Sequence, residues 1–115
     1  MGRAPVLLLH HRGRKTGKER VTPVLFLADD KRLVIVASKG GAAKDPAWLA
    51  NLMAHPATTV EVASRHLGVR ARPASEAERY AYWPRLLEMY PSYGIYQRRT
   101  DRIVPVVVLE PVGDL

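Results

Sequence analysis

A chain of 115 residues carrying a formal charge of +7 has room for one hydrophobic core and none for separate cofactor and substrate domains. Its 47% apolar and 25% charged residues exclude a disordered chain, and the absence of cysteine excludes disulfides and thiolate metal sites and fits the reducing cytosol. The surplus of cations asks for an anionic partner: nucleic acid, a membrane surface, or a small ligand bearing phosphate or carboxylates.

No apolar run nears the roughly 20 residues of a membrane-spanning helix, and Met1 to Ala4 is too short for a signal peptide. Residues 1–115 read as one domain without linker, repeat or low-complexity tract. Pro5 to His11 is a short apolar run, followed by a turn dense in cations: Arg12, Arg14, Lys15, Lys18 and Arg20. Arg20 to Ala28 returns as a β-rich run in which Pro23 marks an edge or a bulge. "ADD" turns the chain into the strand Lys31 to Ser38, so the first third reads as a three-strand meander.

In "KGGAAKDPAWLANLMAHP" Asp45 suits an N-cap, Pro46 the first helical position, and Pro56 closes the segment. Trp48, Leu49, Leu52 and Met53 form its apolar stripe. Thr58 to Ala63 and Leu67 to Pro73 alternate around Ser64 and Arg65 as a second hairpin. "SEAE" at Ser75 to Glu78 is a capping box that starts a helix, which Pro84 is expected to end after Trp83. A tyrosine-rich loop follows, then a last strand over Ile103 to Glu110. The order βββαββααβ predicts a mainly β, α+β domain, an antiparallel sheet curled into a barrel with helices over its ends.

Two stretches carry chemistry. "GRKTGK" is no phosphate-binding P-loop, because Gly13 and Gly17 have three residues between them where four are needed, and Glu19 follows Lys18. What remains is a turn whose cations and backbone N–H groups can hold phosphate or carboxylate oxygens. A hairpin tip is ordinarily just solvated, but five cations against the single acid Glu19 keep the anion grip open. "ASKGGAAKDPAW" brings Ser38, Lys39, Gly40 and Gly41 to a strand end before a helix N-terminus. That suits a polar ring or a phosphate; a plain connection into a capped helix is the alternative. Tyr90, Tyr93 and Tyr96 share a face if helical, although Pro91 and Gly94 argue for an irregular lid. His10 and His11 are adjacent in a strand and face opposite sides. His55 sits at a helix end and His66 at a hairpin, so no metal set emerges.

Taken together and in order, "GRKTGKERVTPV", "VIVASKGGAAKDPAWLANL" and "YWPRLLEMYPSYGIYQRRTDRIVPVVVLEP" resemble the deazaflavin-dependent nitroreductase family, from Ala4 to Pro111. These are actinobacterial split β-barrels of the FMN-binding-protein type that use coenzyme F420, an 8-hydroxy-5-deazaflavin. The resemblance implies that Arg14, Lys15 and Arg20, on a turn shaped by Thr16 and Gly17, hold the coenzyme's phosphate and oligoglutamate tail. It further implies that Ser38, Lys39, Gly40 and Gly41 line the deazaflavin beside Val21, Pro23 and Ala37, with Trp48 and Asn51 completing the pocket. Tyr90, Tyr93 and Tyr96 would cover the substrate side, and Ser38 or Tyr93 would polarise or protonate a small acceptor such as a quinone, nitroaromatic or unsaturated lactone. Relatives usually carry an N-terminal extension, against which "MGRAPVLLL" starts short or trimmed, so membrane association is expected only through that missing segment. Leu25, Gly94 and Ile95 depart from the family pattern around the acceptor. Two other readings stay open: a barrel of the same class using FMN, and a basic barrel binding single-stranded nucleic acid.

Overall fold

The computed structural model describes residues 5–38 and 45–114. Its elements run β1 (Val6–Arg12), β2 (Glu19–Leu25), β3 (Leu27–Asp29), β4 (Arg32–Val36), α1 (Ala47–Ala54), β5 (Ala57–Val62), β6 (Arg65–Pro73), α2 (Glu76–Met89), α3 (Ser92–Arg98) and β7 (Val106–Asp114). All seven strands form one antiparallel sheet in the order β2-β1-β5-β6-β7-β4-β3. β2 and β3 are consecutive in the chain yet occupy opposite edges, so the sheet must curl until those edges meet at Phe26. The result is a split β-barrel, mainly β and of the α+β class.

Phe26 also accounts for a difference from the expected order. The run Arg20 to Ala28 is two strands rather than one, with the Phe26 ring buried between the two ladders and its N–H donating to the Pro5 carbonyl at 3.0 Å. The expected meander is therefore two hairpins, β1–β2 and β3–β4, at opposite edges of the sheet.

Burial on both faces explains the continuous apolar runs of β4 and β7. Leu33 and Ile35 of β4 and Val107 and Leu109 of β7 point into the barrel with Leu7, Leu9, Val60 and Val69. Their alternates, Val34, Val36, Val106 and Val108, pack outward against Tyr82, Leu86 and Tyr93 of α2 and α3. A strand covered on both sides has no polar face to alternate with. Thus α2 and α3 lie on the outer wall formed by β4 and β7, not over the barrel ends. α1 instead buries Trp48 and Leu52 in the barrel core.

Three helix boundaries differ from expectation. Pro84 lies inside α2, on its exposed side, while Tyr82 and Leu86 are buried on either side of it. That packing offsets the cost of about 3 kcal/mol for an interior proline. The tyrosine segment is the helix α3, and Gly94 allows its close approach to α2, since a Cβ there would stand 3.3 Å from Leu87 Cδ2. The residue capping α1 is Pro46, with no side-chain cap. Asp45 is drawn away by Arg102, whose guanidinium meets its carboxylate at 2.7 Å. The last strand starts at Val106, later than Ile103, because the Val104 N–H donates to the Gln97 side chain at 2.9 Å rather than to a ladder.

The Ser75–Glu78 capping box forms as the sequence predicts. Glu78 also receives a forked contact from Arg72 at 2.6 and 2.7 Å. These Arg72 hydrogen bonds, with the Ser75 N–H next in weight, hold the Glu78 carboxyl at about 2 against an ordinary 4.5. Because the folded value is the lower one, the stabilisation is complete above pH 4.5 and is lost as the pH falls from there towards about 2. The contact is partly solvated, which reduces its worth to about 1 kcal/mol. Glu78→Gln should therefore lower stability at pH 7 by that amount and leave it nearly unchanged at the acid end. Urea denaturation at the two pH values measures the gap.

Candidate active site

The cationic turn is a structured hairpin tip. Gly17 takes a left-handed φ of 68°, and its N–H donates to the Gly13 carbonyl at 2.8 Å. A side chain would be strained at that φ. Among the described residues, none of the five cations forms an ion pair. Arg14, Lys15, Thr16 and Arg20 line a cleft of about 470 Å³ whose floor includes Trp48 and Asn51 of α1, and no carboxylate lines it.

A partly buried chain of hydrogen bonds ties this turn to the barrel. The Arg14 N–H donates to Asn51 Oδ1 at 3.2 Å, which orients the amide so that Nδ2–H donates to His11 Nδ1 at 3.1 Å. That leaves His11 Nε2–H to donate to Thr22 Oγ1 at 2.8 Å. The network thus assigns the neutral Nε2–H tautomer. Burial pushes the His11 pKa down, helped by Arg20 and then His10, in keeping with an uncharged ring. His11 was not among the residues expected to matter; its alternation to the inner face of β1 was visible, but its partners lie 11 and 40 residues away.

A second cavity of about 370 Å³ adjoins the first. Pro23, Val24 and Leu25 of β2, Ser38, Trp48 and the three tyrosines line it. Trp48 is common to both cavities and 8% exposed, so the indole stands at the junction of a cationic cleft and a tyrosine-walled hollow. The tyrosines form one cluster: Tyr93 packs edge-on to Tyr90 with centroids 4.9 Å apart, and the Tyr90 and Tyr96 hydroxyls are 3.1 Å apart. Burial, reinforced by Tyr90 and Tyr96, pushes the Tyr93 phenol up to about 12. The hydrogen bond to Tyr90 likewise raises Tyr96. Tyr93 therefore keeps its proton at neutral pH.

Ser38 lines the tyrosine cavity but lies two residues past β4, which ends at Val36 rather than at Ser38 as expected. Ala37 is buried in the barrel core, its N–H donating to the Pro105 carbonyl. Val21 lies opposite His10 in the β1–β2 ladder and is 49% exposed, outside the lining of both cavities. Lys39, Gly40 and Gly41 lie outside the described residues. Sequence reasoning missed Arg102, which donates to the Ser38 carbonyl at 2.9 Å and also grips Asp45. It thereby fixes the strand end relative to the start of α1. No local pattern marks it, since its partners are 57 and 64 residues distant.

The sequence and the fold have counterparts among known proteins. A family model described as F420H(2)-dependent quinone reductase matches residues 1–111. Two Mycobacterium tuberculosis relatives carry the same description in their names. Rv3178 is 41% identical over 107 residues, covering 93% of this chain and 90% of its own. Rv1261c is 39% identical over 111 residues, covering 94% and 74%. The solved structure of an F420-H2 dependent reductase, FDR-A, superposes with a TM-score of 0.84 at 36% identity, covering 92% of this chain and 94% of that one. Matched along nearly its whole length in both sequence and fold, the chain belongs to the F420H2-dependent quinone reductase family.

Proposed function

We propose that the two adjoining cavities are one site, in which the protein acts as an F420H2-dependent quinone reductase. The observation that carries this reading is that Trp48 lines both a cationic cleft, in which no described carboxylate stands, and a tyrosine-walled hollow. The donor set fits the coenzyme. Arg14, Lys15 and Arg20 offer unpaired positive charge to a phosphate and a polyacidic tail, while Trp48, Pro23 and Ser38 offer a flat, half-polar wall to a ring. Bound reduced deazaflavin supplies the two electrons, as a hydride from its ring C5.

The chain's own groups orient, shield and polarise. α1 and the His11–Asn51–Arg14 network hold the turn at a set distance from Trp48. The tyrosine cluster walls the acceptor cavity and limits water there. Tyr93 donates a hydrogen bond to a quinone oxygen as charge builds on it, and the proton that completes the hydroquinone comes from solvent. With no cysteine in the chain, a reducing cytosol suits this chemistry; among the described residues no helix is long and apolar enough to cross a membrane.

The test is a fluorescence titration with F420, with FMN in parallel, followed by quinone reduction with reduced F420. Tight deazaflavin binding, weaker FMN binding and quinone turnover are expected. Tyr93→Phe should lower turnover by about tenfold or more at unchanged coenzyme affinity. Unchanged turnover would remove the hydroxyl from the mechanism. FMN bound in place of F420 would move the chain to the flavin-using branch of the fold. The nucleic-acid reading has less support, because the tyrosines gather in one cluster instead of spreading along a sheet face as stacking platforms.

A further inference from the structure

His10 and His66, which no spacing in the sequence connects, meet on the outside of the barrel. β5 lies between β1 and β6, and its register sets Glu61 directly opposite both Leu8 and His66. His10, two residues along β1 from Leu8, is the diagonal neighbour of Glu61, a distance that long side chains span. His10 Nε2 stands 2.7 Å from Glu61 Oε2, and His66 Nε2 stands 3.4 Å from Glu61 Oε1. One ligand atom from each of the three lies within 4.8 Å of the others. The side chains of His10 and Glu61 are 21% and 26% exposed and that of His66 is 57% exposed, so the group is anchored on one side and open on the other.

We propose that His10, Glu61 and His66 form a binding site for a divalent late transition ion, Zn²⁺ in particular. Two imidazoles and a carboxylate are a known donor set for zinc, with Zn–N and Zn–O bonds of about 2.0–2.2 Å and a water in the fourth position. Tetrahedral ligands at those bond lengths stand roughly 3.3–3.6 Å apart. The His66–Glu61 separation of 3.4 Å falls within that spacing, and the His10–Glu61 separation of 2.7 Å, a hydrogen bond to the other carboxylate oxygen, would open by about 0.6 Å on ligation. Rotation of the exposed His66 ring closes the third side. A further feature matches what metal-bound histidines need. Glu19 Oε1 lies 3.8 Å from His10 Nδ1, so a second carboxylate faces the ring nitrogen that the metal leaves over. Such a partner selects the tautomer and makes the ligating nitrogen more basic. The site is separate from the coenzyme cleft, because His10 and His11 point to opposite faces of β1. A bound ion would tie together β1, β5 and β6 through side chains on their outer face.

The experiment uses untagged, full-length protein stripped with EDTA and titrated with Co²⁺ as a spectroscopic probe, then with Zn²⁺. The expected result is one Co²⁺ per chain with four-coordinate visible absorption, displaced by Zn²⁺. His66→Ala and Glu61→Gln should each weaken binding by about tenfold or more, while His55→Ala leaves it unchanged. Zn²⁺ should raise the melting temperature of the parent protein and not that of His66→Ala. No uptake of either ion would overturn the proposal, as would binding that His66→Ala and Glu61→Gln leave intact. Both substituted side chains lie outside the core, and circular dichroism of each variant separates lost ligation from lost folding.

Discussion

Replacing Arg14 and Lys15 together by alanine weakens F420 binding by about a hundredfold, with the fold unchanged. A hydrogen bond to a charged group contributes about 1.5–3 kcal/mol, and each 1.4 kcal/mol is a factor of ten in affinity. Two such contacts at a solvated hairpin tip, screened by salt, bring the estimate to the lower end of that range. Neither side chain makes a hydrogen bond or ion pair among the described residues; the bond that Arg14 gives to Asn51 comes from its backbone and survives the substitution. Thermal stability should therefore stay within about 0.5 kcal/mol of the parent. Fluorescence titration at two salt concentrations gives a second readout, since removing two cations should also flatten the salt dependence. Undiminished affinity would mean that the coenzyme's acidic end lies elsewhere on the protein.

Leu52→Ala acts from the other direction, through stability. α1 has eight residues, no side-chain cap, no acidic residue in its first turn and no basic residue in its last. So short a helix draws its stability from what it buries. Leu52, fully buried, is its deepest anchor in the barrel core. Truncation should cost about 2–5 kcal/mol, a fall in melting temperature of roughly 10–20 °C for a domain of this size. Because Trp48 and Asn51 ride on the same helix, coenzyme affinity should fall with it. Met53→Ala, on the exposed side of α1, is the matched control and should stay within about 0.5 kcal/mol. Equal, small effects of the two changes would mean that α1 contributes little to the core.

What was legible in the sequence is what short-range rules govern. The Ser75–Glu78 box, the hairpin between β5 and β6 and the cationic turn all follow from residues a few positions apart. The fold class followed from the alternation of short strands and turn signals, whereas the segment read as an irregular lid from Pro91 and Gly94 is helical from Ser92 to Arg98, with Tyr90 at the end of α2. The misreadings share one cause, which is packing over long range. Pro84 stays helical because Tyr82 and Leu86 are buried against β4 and β7. Asp45 is not a cap because Arg102, far along the chain, competes for its carboxylate. Phe26 splits a run that local propensity makes continuous, since only the curled sheet gives its ring an interior to enter. The trio of His10, Glu61 and His66 was unreadable for the same reason: it exists only once the register of three strands is set.

β2 has a property that neither cavity has alone. Arg20 and Thr22 of this strand line the cationic cleft, and Pro23, Val24 and Leu25 line the tyrosine hollow. One extended segment therefore measures off the distance between the cationic cleft and the tyrosine hollow. At about 3.3 Å per residue, Arg20 to Leu25 spans roughly 16 Å. Covalent geometry sets this length, and it cannot be tuned by repacking side chains. If the proposed site is the working one, the barrel would act as a gauge for ligands whose anionic end and reactive ring are that distance apart, and a one-residue insertion in β2 would recalibrate it.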